Sequence, residues 1–335
     1  MVQLKVGKLP LNLLSEMLEL MKGADDEAVI VGPRIGEDAA IIRVGPSIMA
    51  VHVDPITEAS VGSARLSMIV ASNDIAVTGV KPRWALITML LPENINWNEI
   101  RSIADKIGAE AKKLGISVVG GHTEVSPGIN KPIIVTTVIG ESSAGKFIPT
   151  SGAMPGDYVI QVKPAALEGT YILATDFREK LLELGVKRDI IVRASQFINY
   201  LSVIDPALRL AGLEGIHSMH DPTEGGLIGG LLEMALSSDT TLRVEMKRFI
   251  IRSETLEISR ALNIDWARLI SSGTVIATIA PDSLNMLDEI LEDYDYAVIG
   301  KVEAQGECPL IIEDTGECIA NVPQDEISRF WSSTN

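Results

Sequence analysis

Residues 71–84 read ASNDIAVTGVKPRW and continue an apolar segment that begins near residue 60. The segment predicts a helix that is buried on most sides, because its apolar residues leave no continuous polar face. Asn73 and Asp74 interrupt this pattern. A buried carboxylate is costly unless it is paired or bound to a cation. Asp74 therefore either forms hydrogen bonds with a neighbouring turn or belongs to a cation site.

Other acidic residues stand at the ends of predicted elements. Glu37 and Asp38 precede an apolar strand, Asp54 ends the apolar run MAVHV, and Asp221 opens DPTEGG before another helix. Magnesium prefers oxygen ligands, typically one or two carboxylates together with substrate phosphates. Glycine-rich turns at helix starts supply backbone N–H groups for phosphate. Taken together, these positions favour a site for magnesium and a nucleotide.

The composition limits the classes of function. The chain has 335 residues, which favours two domains, with 46% hydrophobic and 22% charged residues as in globular proteins. The net charge of −16 argues against a nucleic-acid partner, because phosphate binding needs a basic surface. The acidity reflects either solubility alone or carboxylates that gather around cations.

The N-terminal sequence and the cysteines bear on location. No apolar run reaches the roughly 18 residues that a membrane helix needs, and the first 20 residues lack the uninterrupted apolar centre of a signal peptide. We therefore expect a cytoplasmic protein without a membrane partner. Cys308 and Cys318 have no zinc-site spacing, and we expect two free thiols in a reducing compartment.

Strands and helices alternate in both halves of the chain, which predicts an α/β or α+β protein with two domains. The sequence predicts a helix over Trp97–Leu114, with charge on one face, and a turn at 217–226 before a helix at 227–237. Residues 152–162, GAMPGDYVIQV, combine Gly, Pro and Gly before a new strand, so they mark a domain boundary. We place one domain at 1–152 and the other at 153–335. We expect the first to bind nucleotide, on the strength of its acidic residues.

Two glycine-containing stretches need separate interpretation. Residues 140–146, GESSAGK, fit the spacing of a Walker A loop, but Phe147 follows and IPTSGAMPG cannot form the required helix. We interpret them as a linker. Residues 120–128, GGHTEVSPG, follow a predicted strand. Residue types alone leave a metal site, a catalytic base, a phosphate cradle and a polar turn open for this second stretch.

Six motifs in order resemble the superfamily of aminoimidazole ribonucleotide (AIR) synthase, thiamine-monophosphate kinase, selenide water dikinase and the hydrogenase-maturation protein HypE, most closely HypE. The motifs are GEDAAII (36–42), HVDPI (52–56), ASNDIAVTGVKPRW (71–84), GGHTEVSPG (120–128), GAMPGD (152–157) and HDPTEGGL (220–227). The resemblance implies an N-terminal α/β domain whose mixed sheet pairs with a second copy in a barrel-like homodimer. It implies a C-terminal α+β sandwich as the other domain.

The resemblance also implies ATP and Mg²⁺ as cofactors and transfer of the ATP γ-phosphoryl group by a transferase or ligase-like enzyme. Asp74, Asp221 and Thr223 would be catalytic. Four acids would hold the metal, namely Glu37, Asp38, Asp54 and Asp74. The nucleotide would be bound by Lys8, Asp38, Asp54, Asn73, Gly120, Gly121, His122, Thr123, Gly225 and Gly226.

The chain also departs from the families that it resembles. It ends ISRFWSSTN without the C-terminal cysteine that carries the carbamoyl group in HypE, Glu224 replaces an arginine, and His122 replaces an acid. We expect a HypE-like enzyme that phosphorylates a small-molecule or amide-type acceptor. The alternatives are a nucleotide-binding accessory protein without turnover that binds a maturation partner, and a thiamine-monophosphate kinase or AIR synthase-type enzyme.

Overall fold

A computed structural model describes residues 9–21, 23–57, 59 and 61–334 of the chain. Within them the chain forms eleven α-helices, several short 3-10 turns and two β-sheets. The helices are α1 Leu11–Met21, α2 Ser63–Val77, α3 Trp97–Leu114, α4 Leu167–Asp176, α5 Arg178–Glu183, α6 Arg188–Ala194, α7 Ile204–Ala211, α8 Gly226–Ser237, α9 Ser253–Leu262, α10 Leu287–Ile290 and α11 Glu326–Thr334. The strands are β1 Val29–Val31, β2 Ala40–Val44, β3 Ser47–Ile56, β4 Pro82–Leu91, β5 Ser117–Val125, β6 Ile133–Ser142, β7 Tyr158–Val162, β8 Ile216–His220, β9 Thr240–Val244, β10 Val275–Ile279, β11 Tyr296–Ala304, β12 Leu310–Ile312 and β13 Glu317–Ile319.

The first half builds a six-stranded mixed sheet in the order β1-β2-β3-β6-β4-β5. All neighbours are antiparallel except β4 and β5, which run parallel. Alternate residues of these strands point to one face and pack against α2 and α3, as the period of two along a strand requires. No described helix of the first half covers the opposite face, where Val53 and Leu86 stay exposed.

The second half builds a seven-stranded sheet in the order β13-β12-β9-β11-β7-β10-β8. Its neighbours are antiparallel except β9 and β12. Helix α8 packs on one face of this sheet, and α7 and α10 pack on the other. A separate helical core joins α4, α6, α9 and the C-terminal α11. The last strand of the first sheet ends at Ser142 and β7 begins at Tyr158, while the boundary at residue 152 stays a prediction.

Helix α2 lies between the two halves and is buried from Ala64 to Val77 except at Arg65. One side packs on the first sheet through Met68 and Ile75, and another packs on the helical core of the second half through Leu66 and Ile69. The apolar residues on all sides of ASNDIAV therefore have partners in both halves. A polar residue such as Asp74 is held in the interior at the junction of the halves.

Several local expectations are wrong. Residues 217–220, expected to belong to a turn, form most of strand β8. Residues 167–175, for which the sequence predicted no element, lie in helix α4, which is buried from Leu167 to Ala174. Cys308 and Cys318 form a disulfide with a Cα–Cα distance of 5.8 Å. The β12–β13 hairpin brings them together, which their spacing of ten residues does not reveal. None of the described helices combines the length and the apolar character needed to cross a membrane.

Candidate functional site

A cavity of about 1000 Å³ lies between the two halves. The first half contributes β3, α2, the start of α1 and the loop before β2. The second half contributes α4, the end of β8, the turn before α8, Glu233 within α8, the loop after Leu269 and the segment before α11. Among the described residues that line it, the acidic ones outnumber the basic ones. The acidic ones are Glu37, Asp38, Asp54, Asp74, Glu168, Glu224, Glu233 and Asp325, and the basic ones are Arg34, His52 and His220.

Three carboxylates meet where the halves join. Asp38 comes from the loop before β2, Asp74 from α2 and Asp221 from the residue after β8, and one oxygen of each lies within 4.8 Å of the others. All three side chains are buried, with 8%, 6% and 0% of their surface exposed. Like charges this close repel strongly in a medium of low dielectric constant. Oxygen ligands in this arrangement suit a hard divalent cation such as Mg²⁺.

Asp221 gives the clearest sign that the cluster is arranged for a ligand. Neither of its carboxylate oxygens has a hydrogen-bond partner within the described part of the chain, although buried polar groups nearly always have one. Burial, and then the charges of Asp74 and Asp38, raise the pKa of Asp221 well above its ordinary value. A bound cation would satisfy both oxygens and reverse that shift.

Two histidines brace the cluster. His220 Nδ1 lies 2.5 Å from Asp38 Oδ1 and its Nε2 lies 3.2 Å from Glu233 Oε2. Burial opposes the charged ring, but the charge of Asp38 and the hydrogen bonds to both carboxylates raise the pKa of His220 well above its ordinary value. The protonated ring donates to both acids. His52 Nε2 lies 3.4 Å from Asp74 Oδ2, and its Nδ1 contacts the Asp38 carbonyl oxygen.

The sequence had not indicated His52, His220 or Glu233 as site residues. His220 was missed because β8 was taken for a turn, and Glu233 because it lies inside an apolar helix. The signal that could have revealed Glu233 is the one that identified Asp74, namely a lone acid among core residues of a helix. The buried acid Glu168, at the start of α4, carries the same signal.

The other acidic and hydroxyl residues that the motifs indicated lie nearer the rim. Asp54 and Thr223 line the cavity and are partly exposed. Glu37 also lines it, but its carboxylate accepts hydrogen bonds from Thr150 N at 3.2 Å and Ser151 Oγ at 2.5 Å, in the short turn before β7. Arg34 Nη2 lies 3.3 Å from the same carboxylate. Glu37 therefore stands outside the three-carboxylate cluster.

The glycines of DPTEGG are held by contacts within the chain. Gly225 N donates to Asp325 Oδ2 at 2.8 Å, and Gly226 N donates to Thr223 O at 3.0 Å. A Cβ on Gly226 would lie 2.6 Å from Ala267 O, so the residue must be glycine for α8 to pack here. Contact of these two backbones with a nucleotide stays a prediction.

The structure does not bring GGHTE to the cavity within one chain. Gly120, Gly121, His122 and Thr123 lie on β5, which is the edge strand and is exposed along its whole length. His122 Nε2 instead lies 3.1 Å from Glu124 Oε2. A role for these residues in binding nucleotide stays a prediction that a single chain does not satisfy.

Asn73, also expected to bind nucleotide, lies beside Asp74 but is fully buried. Its Nδ2 donates to Leu201 O at 3.0 Å and its Oδ1 accepts from Val203 N at 2.9 Å. Asn73 thus joins α2 to the second half through both polar atoms of its side chain, and its contact with nucleotide stays a prediction. Lys8, the remaining predicted residue, lies outside the described residues.

Two family models match the chain. AIR synthase related protein, N-terminal domain, matches residues 36–142, and AIR synthase related protein, C-terminal domain, matches residues 154–313. A putative hydrogenase expression/formation protein of Methanocaldococcus jannaschii is 28% identical over 86% of this chain and 85% of its own length. Carbamoyl dehydratase HypE of Rhizobium leguminosarum bv. viciae is 26% identical over 69% and 65%, and selenide, water dikinase of Myxococcus xanthus is 24% identical over 74% and 69%.

Solved structures share the fold. A crystal structure of a HypE–HypF complex superposes with a TM-score of 0.74 at 20% identity and covers 93% of this chain and 99% of the other. AaThiL complexed with AMPPCP and TMP gives 0.72 at 17% identity, with 94% of each chain covered. HypE in complex with ATP gives 0.69 at 21% identity, covering 96% and 94%.

Proposed function

We propose that this chain, which belongs to the AIR synthase related protein family, is an ATP- and Mg²⁺-dependent enzyme that transfers the γ-phosphoryl group of ATP to a small-molecule or amide-type acceptor. The observation that carries the proposal is the meeting of Asp38, Asp74 and Asp221 at the cavity between the halves. Solved relatives of the same fold bind ATP or AMPPCP. We transfer that ligand class to this cavity.

The carboxylate cluster fits a magnesium ion. Three acids from separate elements place oxygens within 4.8 Å of each other, and those of Asp221 have no donor among the described residues. Asp38, Asp74 and Asp221 would hold the ion, with Asp54 beside them. When bound, Mg²⁺ neutralises charge on the transferred phosphoryl group and aligns it.

The chain's own residues position and shield the reactants. Asp38 is held by two partners, because His220 Nδ1 lies 2.5 Å from its Oδ1 and Thr150 Oγ1 donates to its Oδ2 at 2.9 Å, so the carboxylate stays in place beside the other two acids. Thr223 brings a hydroxyl to the rim from the second half, where it would contact the transferred phosphate. Val70, Ile172 and Ile270 form apolar lining that limits water at the reacting group. Such a site acts through positioning and electrostatic stabilisation rather than through a covalent intermediate.

A nucleotide-binding accessory protein is the second candidate. Arg34 is the single arginine or lysine among the described lining residues, and it pairs with Glu37, so cationic groups that would stabilise a transferring phosphoryl group are scarce. One solved relative is in a HypE–HypF complex, and a maturation-protein partner would suit this role. An accessory protein would be stabilised by Mg-ATP but would release no phosphate with any acceptor.

A homodimer is part of the proposal. Val53 and Leu86 are exposed on the uncovered face of the first sheet, and Val118, Val119 and Val125 are exposed on the edge strand β5. Exposed apolar patches of this kind mark interaction surfaces. A second copy would cover this surface and bring its own β5, with the GGHTE residues, toward the cavity of the first.

The test compares the wild type with Asp74→Asn. Mg-ATP should raise the melting temperature of the wild type and support phosphate release with a suitable acceptor from a panel. Asp74→Asn should lose both effects and keep its fold, because asparagine has nearly the same shape but no charge. Asp105→Asn on the exposed side of α3 is the matched control and should behave as the wild type. Full Mg-ATP turnover by Asp74→Asn would rule out the assignment.

A further inference from the structure

A short 3-10 turn, Thr150–Gly152, lies after β6 and before β7. Its first residue, Thr150, is buried with 2% of its surface exposed. Ser238, the residue after α8, donates from Oγ to Thr150 O at 3.3 Å and accepts from Ala153 N at 3.2 Å. The end of α8 therefore holds the turn through the backbone on both of its sides.

Strand β8 holds the same turn from another element. Ser218 Oγ donates to Thr150 O at 2.5 Å, so this carbonyl oxygen is shared by two hydroxyl groups. A Cβ on Gly152 would lie 1.9 Å from His217 O, and only glycine lets the turn approach β8 this closely. The position of Thr150 is thus set by the second half before any ligand binds.

From this position Thr150 contacts both acids of the GEDAAII motif. Its Oγ1 donates to Asp38 Oδ2 at 2.9 Å, and its N donates to Glu37 Oε2 at 3.2 Å. The hydroxyl has one proton, and Asp38 is a better acceptor than Met219 O at 3.3 Å, because the contact is shorter and the acceptor is charged. Ser151 Oγ donates to the other oxygen of Glu37.

The turn leaves the two acids in different places. Glu37 has both oxygens bonded to the turn and stands outside the three-carboxylate cluster. Asp38 has one donor on each oxygen, namely Thr150 on Oδ2 and His220 on Oδ1. Each carboxylate oxygen has two lone pairs, so each keeps one for a cation. The Asp38 carboxylate is therefore held in one orientation and can still bind a metal.

We propose that Thr150 is a positioning residue of the metal site, whose hydroxyl holds the Asp38 carboxylate where it meets Asp74 and Asp221. The proposal rests on the proposed function, because it concerns the cation that this cluster would bind. Thr150 lies outside the cavity lining, so it acts through Asp38 and not by contact with a ligand. Partners of this kind raise the affinity for a metal by fixing its ligand beforehand. A segment that sequence patterns identified only as a linker thereby belongs to the site.

Manganese binding measures this role without turnover. Mn²⁺ suits the same oxygen ligands as Mg²⁺, and the electron paramagnetic resonance signal of free Mn²⁺ gives the dissociation constant, without nucleotide and with AMPPCP. Thr150→Val keeps the shape of the side chain without its hydroxyl. It should weaken Mn²⁺ binding about tenfold or more in each condition in which the wild type binds, as is typical when a metal ligand loses its partner. Thr150→Ser keeps the hydroxyl and should bind Mn²⁺ as the wild type does.

Thr241→Val is the matched control. Thr241 on β9 is as buried as Thr150, donates from Oγ1 to Cys308 O at 2.8 Å and lies outside the cavity lining. Its variant should lose thermal stability and keep its affinity for Mn²⁺. If Thr150→Val fails to fold, Thr150→Ala takes its place. Wild-type affinity in a folded variant without the hydroxyl overturns the proposal. Equal weakening in Thr150→Ser or in Thr241→Val also overturns it, because the loss would then not follow the hydroxyl on Asp38.

The wild type separates this proposal from the proposed function. If the wild type binds Mn²⁺ and Mg-ATP and the variant without the hydroxyl binds both equally well, the metal site stands and Thr150 has no part in it. If the wild type binds no Mn²⁺ in either condition, the cluster is not a metal site. The proposed function and the role of Thr150 then fail together.

Discussion

Lys163 carries its ammonium group into the interior of the second half. It follows β7 with a positive φ of 69° and only 8% of its surface is exposed. Its Nζ donates to Tyr200 O at 2.5 Å and to Ser202 O at 2.8 Å, so it joins the end of β7 to the loop that also binds Asn73. Burial lowers the pKa of Lys163 to about 7, because an ammonium loses its hydration there.

This shift makes the contribution of Lys163 to stability depend on pH. The unfolded lysine has a pKa of about 10.4, so between about pH 7 and pH 10 the unfolded chain keeps a proton that the folded chain releases. Stability rises with pH wherever the unfolded state binds more protons. The unfolding free energy of the wild type, relative to Lys163→Met, should therefore rise by on the order of 3 kcal/mol from pH 6.5 to pH 9.5.

Urea unfolding at several pH values measures this difference. Methionine keeps the length of the side chain and the same positive φ, so backbone strain cancels between the two proteins. Lys301→Met, at an exposed position on β11, is the control and should show no such trend. Parallel stability curves for the wild type and Lys163→Met would contradict the prediction.

Among single residues, the sequence is most informative where a polar side chain stands among apolar neighbours. Asp74 was identified because a carboxylate among core residues is costly unless it is paired or bound to a cation. In the structure it lies in the buried cluster with Asp38 and Asp221. His220 gave no comparable signal, because one histidine in MHDP fits a turn as well as a strand. Its role depends on Asp38, which lies 182 residues earlier in the chain, and no local pattern encodes that contact.

On the level of elements, Gly120 and Gly121 differ although they are neighbours on β5. A Cβ on Gly121, whose φ is 149°, would lie 1.9 Å from Ile87 O, whereas a Cβ on Gly120 would meet only the end of the Leu86 side chain at 3.3 Å. The bulge between Ala85 and Leu86 brings the backbones this close. The packing of β5 against β4 therefore requires glycine at position 121, independently of any nucleotide.

Substitution by alanine should separate the two glycines. Gly121→Ala should lower the unfolding free energy by about 2 kcal/mol or more, because the Ile87 backbone cannot move aside without disturbing the β4–β5 pairing. Gly120→Ala should change it by no more than about 0.5 kcal/mol, as for an exposed site. Denaturant unfolding of both variants checks this. Equal losses would show that the collision at Gly121 is relieved by a small shift of the edge strand.

Asp325 links two helices at the cavity. Its Oδ2 accepts from Gly225 N, at the start of α8, at 2.8 Å, and its Oδ1 accepts from Ile327 N, in the first turn of α11, at 2.7 Å. Asp325→Ala should cost about 2 kcal/mol of stability, since both donors lose a charged acceptor. It should also weaken the stabilisation by Mg-ATP, because the turn that carries Thr223 loses its support.

Asn96→Ala is the matched control for Asp325→Ala. Asn96 caps α3 by accepting from Glu99 N at 3.1 Å and lies away from the cavity. Its loss should cost about 1 kcal/mol and leave the Mg-ATP effect unchanged. Thermal unfolding with and without Mg-ATP measures both quantities. If both variants respond to Mg-ATP as the wild type does, Asp325 stabilises the two helices but does not support the binding of Mg-ATP.

The elements themselves were predictable where their patterns are periodic. Helix α3 was predicted with the correct bounds from its charged face, and in the structure an Asn–Glu capping box and a C-terminal glycine fix those bounds. Helix α4 was missed because it is buried on all sides along most of its length. Its sequence therefore lacks the polar face that makes an amphipathic helix recognisable. Packing against α6 and α9 forms it, and such tertiary contacts override local propensity.

For the whole molecule, the arrangement of the two halves explains why the net charge of −16 is partly concentrated in one place. The fold brings acids from both sequence halves to a single cavity. Burying these like charges together lowers the stability of the protein unless a bound ligand compensates for it. The sequence could indicate each acid separately, and the resemblance could group them. Their distances, and the separation of GGHTE from the cluster, follow from sheet order, which local patterns do not determine.

That separation leads to the prediction for the assembled protein. If a second copy covers the open face of the first sheet, Val53→Glu should dissociate the dimer, because a charge would be buried against an apolar surface. Sedimentation velocity should show the wild type at twice the mass of one chain and Val53→Glu at the mass of one. Val192→Glu, at an equally apolar exposed position on α6, should remain dimeric. Val53→Glu should then also lose stabilisation by Mg-ATP although every residue of its own carboxylate cluster is intact, because the GGHTE residues of the partner would be withdrawn. A wild type that sediments as a single chain and still binds Mg-ATP would show that one copy forms the complete site, and β5 would then be an exposed edge with no part in the chemistry.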